Sequence, residues 1–452
     1  METPAPSRNA SKLMYLFGFP RLGSALLLGI VGFATFNLYT VGYGLAEFWV
    51  GTALSLGYVS IAFSQFFFGW ISDRWYTRWG RRKPWVVVLA PVSVFSFIAL
   101  LLPGMFIQNA SKDVLLVWLI VWDVLFEMAY SLTTPYGAWM AELFTIEERP
   151  KTNQIQNIFN FIGYAIMVVF TFIVLTNFTS QLQINPGVLP PIFVWSCIIF
   201  AVVFLVSYYV VIFLMPTEAP PKTKPNLLNN LKNIAQNKNY LFVVFLQGIA
   251  SLGWIIISTV MLSYTQIVLA FGTLQYILAG VTLLVGIFIF LYLWRKVIAK
   301  KGKKKGILLV FTVGSIIMCC SLLGLVPFST TLPFGLLFIA GIALSLGGWY
   351  MISGIWYADL AEDDEKKTDE MKAGLYGGFP SIALNLFQAL GTFILGVVTS
   401  LPKIMVGTLS FSIGYVLWGP ISAVFLVMAY FYSKRFVTLD YEWQKSPPQE
   451  TA

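Results

Sequence analysis

The sequence predicts an all-α integral membrane protein. Its 452 residues are 58% hydrophobic and only 11% charged, and the mean hydropathy is +0.77. A soluble domain carries about 25% charged residues. A membrane β-barrel alternates apolar and polar residues, which lowers its mean hydropathy. The composition therefore excludes a soluble enzyme and a disordered chain, and it favours helices that cross a bilayer.

Twelve apolar runs are long enough to cross the hydrocarbon core of a bilayer, which needs about 20 helical residues. They lie near residues 22–45, 49–72, 84–107, 114–140, 154–177, 189–215, 240–265, 274–294, 306–328, 332–357, 374–400 and 405–432. We therefore predict twelve transmembrane helices.

The basic residues lie on one side of these predicted spans. All 29 Lys and Arg residues except Lys112 and Lys403 fall in the N-terminus, the tail or a loop after an even-numbered span. The positive-inside rule then places both termini in the cytoplasm. Basic loops beside anionic membrane lipid explain the net charge of +9 without a nucleic-acid partner.

The residue types present exclude most catalytic chemistry. There is no histidine, and the three cysteines lie inside apolar runs. Histidine-dependent catalytic triads and histidine-ligated metals are therefore absent. The acidic run 362–365 is followed by two lysines, which favours a solvated loop over a metal site. We expect no cofactor, no metal and no enzymatic activity.

Two motifs recur in the two halves of the chain. Gly-x-Trp-x-Ala-acid-Leu occurs at 137–143 and 354–360, and a glycine followed by basic residues occurs at 79–83 and 301–305. Both separations are close to half the chain, which predicts two duplicated six-helix bundles with a solute site between them. The predicted parts are a cytoplasmic segment 1–21, bundles 22–215 and 239–432, a linker 216–238 and a cytoplasmic tail 433–452.

Several loops resemble those of a known family. Residues 69–74 with 78–83 resemble the 2–3 loop signature of the major facilitator superfamily, and residues 135–143 and 374–379 are similar to its melibiose-permease type. That type is the glycoside–pentoside–hexuronide:cation symporter family. The resemblance implies the major facilitator fold in a multi-pass secondary transporter of the cell membrane.

The sequence departs from that family at its charged positions. Uncharged residues stand where the family carries acidic residues for its coupling cation, namely Ala25, Ile61, Gln65 and Thr133. Asn157 and Asn385 stand where it carries a span 5 arginine and a span 11 lysine. The resemblance therefore implies a missing sodium site and no charged solute contact. Gln65 and the loop 79–83 also resemble the sucrose–proton carriers, which favours a proton over sodium.

Asp123 and Glu127 are the two ionisable residues that the sequence places inside a span. Their spacing puts both on one face of a helix, and a charge at mid-membrane costs about 2.5–3.5 kcal/mol. Two neighbouring carboxyls in a low dielectric are not both expected to be ionised. We interpret them as candidates for proton coupling. The alternative is a neutral Glu127 that bonds to a neighbouring helix or lines a wet cavity.

The candidate solute-binding residues are uncharged amides and aromatic residues within the spans. They are Asn37, Tyr130, Gln156, Asn157, Asn160, Trp254, Trp349, Asn385 and Gln388. Amides inside a bilayer need hydrogen-bond partners, and amides beside aromatic faces suit the hydroxyl and C–H faces of a sugar.

The candidate gating residues lie at the cytoplasmic ends of the spans. They are Asp73, Arg74, Gly80, Arg81, Arg82, Glu142, Arg149 and Asp359. The resemblance implies a latch that opens as the two halves rock. The alternative is that these charges only set the topology.

The sequence favours a monomeric carrier of a small solute, most simply a sugar or glycoside moved by alternating access with a proton. A carrier of a lysolipid-like amphipathic solute and an uncoupled sugar facilitator remain alternatives. A membrane enzyme or a channel is disfavoured because the chain has no catalytic constellation and a duplicated carrier layout.

Overall fold

The computed structural model of the chain describes residues 8–145, 148–185, 189–217, 237–326, 330–353, 356–357, 360, 363 and 380–441. Within this part of the chain lie twelve helices that are long and apolar enough to cross a membrane, as predicted. They are α1 (Ser11–Gly42), α2 (Glu47–Arg74), α3 (Lys83–Leu101), α4 (Lys112–Met140), α5 (Lys151–Ile184), α6 (Pro191–Leu214), α7 (Lys238–Ile267), α8 (Thr273–Lys301), α9 (Lys303–Leu325), α10 (Leu332–Met351), α11 (Pro380–Thr399) and α12 (Gly414–Phe436).

Local sequence explains several helix ends. Ser111 caps α4 by accepting a hydrogen bond from the Val114 amide at 3.4 Å. Gly302 separates α8 from α9 with φ +85°, a conformation that favours glycine. Asp440 then caps α9, because its carboxylate accepts from the backbone amides of Lys303 and Lys304.

Several helices contain irregular turns. α1 and α5 include π-helical stretches, Leu38–Gly42 and Phe170–Leu175. α4 changes at Ser131 between the α-helical segments Lys112–Tyr130 and Thr133–Leu143. Such irregular turns within helices often occur at functional sites.

The two largest differences from the predicted boundaries are at the starts of the first and last spans. The first spanning helix begins at Ser11 instead of near 22, so Arg21 lies within it. The last begins at Gly414 instead of near 405, because residues before it form a hairpin of β1 (Lys403–Val406) and β2 (Leu409–Ser412). Gly407 turns this hairpin with φ +59°, and the alternating polar residues of 403–412 suit strands better than a helix.

The described residues form two compact units. Unit 1 is Met1–Pro225 with Ser258–Gln266 and Thr392–Ser400, and unit 2 is Asn226–Ile257, Ile267–Gly391 and Leu401–Ala452. Within unit 1, α4 packs on α2 and α3, and α6 packs on α3. Within unit 2, α10 packs on α8 and α9, and α12 packs on α9. The same pairs recur six helices later, which is the structural counterpart of the repeated motifs.

Glycines allow close helix crossings. In unit 1, a Cβ on Gly51 of α2 would lie 2.5 Å from the Gly396 Cα, and one on Gly163 of α5 would lie 2.6 Å from the Leu22 carbonyl oxygen. In unit 2, a Cβ on Gly253 would lie 3.0 Å from the Ser422 carbonyl oxygen. Small residues at such crossings are typical of membrane helix packing.

Candidate solute and coupling site

Asp123 and Glu127 lie one turn apart on α4 and are 2% and 3% exposed. Gly57 of α2 provides the space for them, because a Cβ there would lie 2.0 Å from Asp123 Oδ2 and 3.3 Å from Glu127 Cγ. Glu127 Oε2 is buried and has no hydrogen-bond partner within the described residues. The helix pair α2–α4 therefore encloses two carboxyl groups, as the spacing predicted.

Phenol groups surround this carboxyl pair. Tyr58 is within electrostatic range of both carboxyls, and Tyr39 is within range of Asp123. The Tyr39 hydroxyl donates to the Leu100 carbonyl at 2.8 Å. Among the described residues, no group of three or more Cys, Asp or Glu side chains could hold a metal ion.

Arg21 is a basic residue that the sequence analysis placed in the cytoplasmic segment. In the structure it lies within α1, and its guanidinium carbon lies 5.9 Å from the centroid of the Tyr136 ring. The apolar run Leu13–Phe19 before it was the signal that α1 starts earlier. Arg21 is therefore a basic residue within a spanning helix, and it does not belong to a separate cytoplasmic segment.

A tyrosine network holds the rings beside Arg21. The Tyr136 hydroxyl donates to the Phe17 carbonyl and accepts from Gln156 Nε2 at 3.2 Å. Tyr208 and Ser24 share a hydrogen bond of 2.7 Å, and Tyr130 donates to the Ser24 carbonyl at 3.3 Å. Gln156 and Tyr130, both predicted to bind solute, thus hold this network together.

The amides of α5 differ in exposure. Gln156 is buried, Asn157 is exposed and Asn160 is half-buried. Asn160 hydrogen-bonds Tyr164 one turn along the helix. Asn157 and Asn160 are therefore the α5 amides that a solute could reach from this surface.

Unit 2 contains an aromatic cluster at the predicted tryptophans. Trp254 of α7 and Trp349 of α10 stack with ring centroids 5.7 Å apart and an interplanar angle of 29°. Trp356 meets Trp349 edge-on at 5.6 Å. Both stacked rings are almost fully buried. The structure thus brings two predicted solute-binding residues from separate helices into one aromatic cluster.

The two α11 candidates, Asn385 and Gln388, lie on a helix that packs closely on α7. A Cβ on Gly391 would lie 2.4 Å from Ile255 Cγ2, and one on Gly248 would lie 2.5 Å from Phe387 Cδ2. Asn385 is buried and Gln388 is half-buried. Both amides already have interactions within the protein.

Asn37, a predicted solute contact, bonds to polar side chains of the protein. It is fully buried, and its amide donates to Ser263 Oγ at 3.1 Å and to Gln266 Oε1 at 3.0 Å. Gln266 in turn donates to Ser180 Oγ at 3.2 Å. These residues, all in unit 1, form a polar cluster that occupies the Asn37 donors.

Four candidate gating residues of unit 1 form one ion-pair cluster. Arg82 pairs with Asp73 at 2.5 Å and with Glu142 at 2.7 Å, and Arg81 pairs with Glu142 at 2.6 Å. Gly80 adopts φ +91° in the turn that presents both arginines. These pairs tie the end of α2 and the 2–3 turn to the end of α4, so the contacts observed lie within one unit.

The remaining gating candidates are less connected to that cluster. Arg74 lies over the Trp70 ring at 4.4 Å, and Arg149 donates to the Phe144 carbonyl at 3.2 Å. Asp359 and the motif at 374–379 lie outside the described residues.

Comparisons with known proteins agree with this architecture. The MFS/sugar transport protein family matches residues 16–430. The isoprimeverose transporter of Lactiplantibacillus pentosus is 23% identical over 376 residues, which cover 80% of this chain and 74% of the relative. The nucleoside transporter NupG has a TM-score of 0.62 at 12% identity, with 94% of this chain and 98% of that chain covered. A D-xylose-proton symporter has a TM-score of 0.60 at 15% identity, with 95% and 98% covered.

The match to this family over most of the chain, together with twelve spanning helices in its described part, identifies a secondary transporter of the major facilitator fold, a multi-pass protein of the cell membrane and not an enzyme. Its cargo is a small-molecule solute. The chain belongs to the MFS/sugar transport protein family.

Proposed function

We propose that the protein moves a sugar or glycoside across the membrane by alternating access, together with a proton. The observation that carries the sugar assignment is the Trp254–Trp349 stack in unit 2. Aromatic faces pack on the C–H face of a sugar ring, and the α11 amides Asn385 and Gln388 supply hydrogen-bonding groups on a helix that packs on α7. The isoprimeverose transporter as a relative supports the same substrate class.

The unit 1 candidates would supply the other contacts to the sugar. Asn157 and Asn160 are the accessible amides among the predicted α5 contacts, and Gln156 and Tyr130 hold the neighbouring tyrosine network. Asn37 would act at the end of α1, where its hydrogen bonds to Ser263 and Gln266 have to break for a solute to reach it.

The buried carboxyl pair supports the proton. Glu127 presents an oxygen with no hydrogen-bond partner among the described residues, next to Asp123 and against Gly57. A carboxyl that exchanges its proton as its surroundings change would link solute movement to a proton gradient. We propose that Glu127 carries the proton and that Asp123 tunes it.

The ion-pair cluster would act in gating. Arg82 is almost fully buried and is held by both Asp73 and Glu142. We propose that Arg82 holds the cytoplasmic ends of α2 and α4 together, so that these two helices move as one rigid body during transport.

Reconstituted vesicles test the substrate class. Saturable counterflow of labelled isoprimeverose or D-xylose is expected. Absence of counterflow for any sugar, combined with movement of a fluorescent lysolipid between leaflets, would contradict the sugar assignment and favour the amphipathic solute.

Glu127→Gln tests the proton. The variant should keep sugar counterflow, because counterflow needs no net proton movement. Its rate of uptake driven by an imposed pH gradient should fall at least tenfold. The matched control is Asp113→Asn, because Asp113 is an exposed acid in the first turn of the same helix. Undiminished proton-driven uptake by the Glu127 variant would contradict its role in coupling, whereas no proton-driven uptake by wild type would indicate an uncoupled facilitator.

A further inference from the structure

Arg21 lies deep within α1. Its position is about 15 Å along the helix from Ser11, at about 1.5 Å per residue. A charged side chain within a membrane-spanning helix is costly and rare. A cationic residue there therefore needs a partner or a function.

Close packing fixes the place of Arg21 beside α5. The next residue, Leu22, meets Gly163 of α5 so closely that a Cβ there would lie 2.6 Å from the Leu22 carbonyl oxygen. One turn earlier, Gly18 packs on Ile155 of α5 with a Cβ distance of 2.8 Å. Arg21 thus adjoins the face of α5 that carries Asn160 and Tyr164.

The Arg21 guanidinium lies beside aromatic rings and not beside an acidic side chain of the described residues. It lies over the Tyr136 ring, and it is within electrostatic range of Tyr130, Tyr164 and Tyr208. Within the described residues, no ion pair and no hydrogen bond engages its nitrogen atoms, and the side chain is half-buried. A cation–π contact uses no N–H donor of the guanidinium, so these donors are available to a ligand.

We propose that Arg21 is a solute-contact residue whose planar guanidinium binds two adjacent oxygen atoms of the solute. A guanidinium presents parallel N–H donors that match such a pair, as in a carboxylate or in neighbouring sugar hydroxyls. Tyr136, held by Phe17 and Gln156, fixes the plane of the donors. Asn160 of α5 would bind the next polar group of the solute. The inference deepens the proposed sugar carrier by assigning its cationic contact.

Binding to purified protein tests this role. Calorimetric titrations with isoprimeverose, D-xylose and D-glucuronate measure the affinity of wild type, Arg21→Lys and Arg21→Gln. Lysine keeps the charge and loses the paired donors, so both variants should bind the preferred probe at least tenfold more weakly. If wild type prefers D-glucuronate and both variants lose this preference, the two oxygen atoms are those of a carboxylate. Preference for a neutral sugar would assign it as neighbouring hydroxyls.

The matched controls are Arg435→Lys and Arg435→Gln, because Arg435 is an exposed arginine over the Phe436 ring at 5.3 Å. Unfolding temperatures without ligand should match wild type for every variant. Wild-type affinity in both Arg21 variants, or in the lysine variant alone, would overturn the paired-donor contact.

A second measurement does not depend on the sugar. Phenylglyoxal, an arginine reagent, should modify Arg21 in detergent-solubilised protein, as measured by mass spectrometry of the peptide. An unmodified Arg21 would overturn the inference, because the guanidinium would not be open to a solute. Binding of D-glucuronate but of neither neutral sugar, with Arg21 modified by phenylglyoxal, would contradict the neutral-sugar function and leave the Arg21 contact standing.

Discussion

At the scale of single residues, Gly57 determines where the Asp123 carboxyl can lie. A methyl group at this position would meet Asp123 Oδ2 at 2.0 Å within a buried contact of α2 and α4. The carboxyl would have to move into neighbouring side chains. Because overpacking a core costs about 1–3 kcal/mol, even the smallest side chain should disturb this site.

Gly57→Ala should therefore lower the apparent unfolding temperature in detergent by several degrees. Gly137→Ala is the matched control, because a Cβ on this α4 glycine would meet nothing within 4 Å. Alanine favours a helix over glycine by about 1 kcal/mol, so the control should be unchanged or slightly more stable. Equal unfolding temperatures for the two variants would contradict the tight contact.

Some contacts of the candidate site could be predicted from the sequence and others could not. The spacing of Asp123 and Glu127 predicted a shared helix face, and both now lie against Gly57. The partners of Asn37 could not be predicted, because Ser263 and Gln266 are more than 200 residues away in the chain. Tertiary hydrogen bonds of this kind leave no local pattern.

At the scale of elements, the residues after α12 stabilise the start of α9. Asp440 accepts from the Lys303 amide at 2.7 Å, where the helix N-terminus has unpaired N–H groups. Thr438 and Asn239 exchange two hydrogen bonds of 2.9 Å. The segment 437–441 therefore fastens the ends of α7, α9 and α12 within unit 2.

Asp440→Ala should destabilise the protein by about 1 kcal/mol, the typical contribution of a helix cap. Thermal unfolding in detergent measures the change. Asp440→Asn is the matched control, because asparagine caps a helix about as well as aspartate. Equal destabilisation by both substitutions would show that the charge, and not the cap, matters.

Element boundaries show where sequence patterns are ambiguous. Apolar length predicted twelve spans, since each crossing requires a minimum run. It misplaced the start of α1, because Pro20 and Arg21 look like a boundary while proline is tolerated in a first helical turn. It also merged the 403–412 hairpin with α12, because short apolar strands and helices have similar composition.

At the scale of the whole molecule, the distribution of basic residues predicts that both termini are cytoplasmic. Lys403, in the hairpin before α12, would then face the outside, and Lys301, at the end of α8, would face the cytoplasm. The repeated helix pairs of the two units support the duplicated plan on which this prediction rests.

Cysteine labelling tests the orientation. In a background where Cys197, Cys319 and Cys320 are serine, a membrane-impermeant maleimide should label Lys403→Cys in intact cells and leave Lys301→Cys unlabelled until the cells are opened. The reverse pattern would invert the topology.

Unit 1 is assembled from three separate stretches of the chain, and this has a consequence for biosynthesis. Ser258–Gln266 and Thr392–Ser400 emerge from the ribosome well after Met1–Pro225. At about 5–20 residues per second, the N-terminal helices wait some ten seconds or more for their last partners. During that interval the Asn37 amide has neither Ser263 nor Gln266 to bond, so the nascent bundle depends on lipid, water or the insertion machinery to satisfy it.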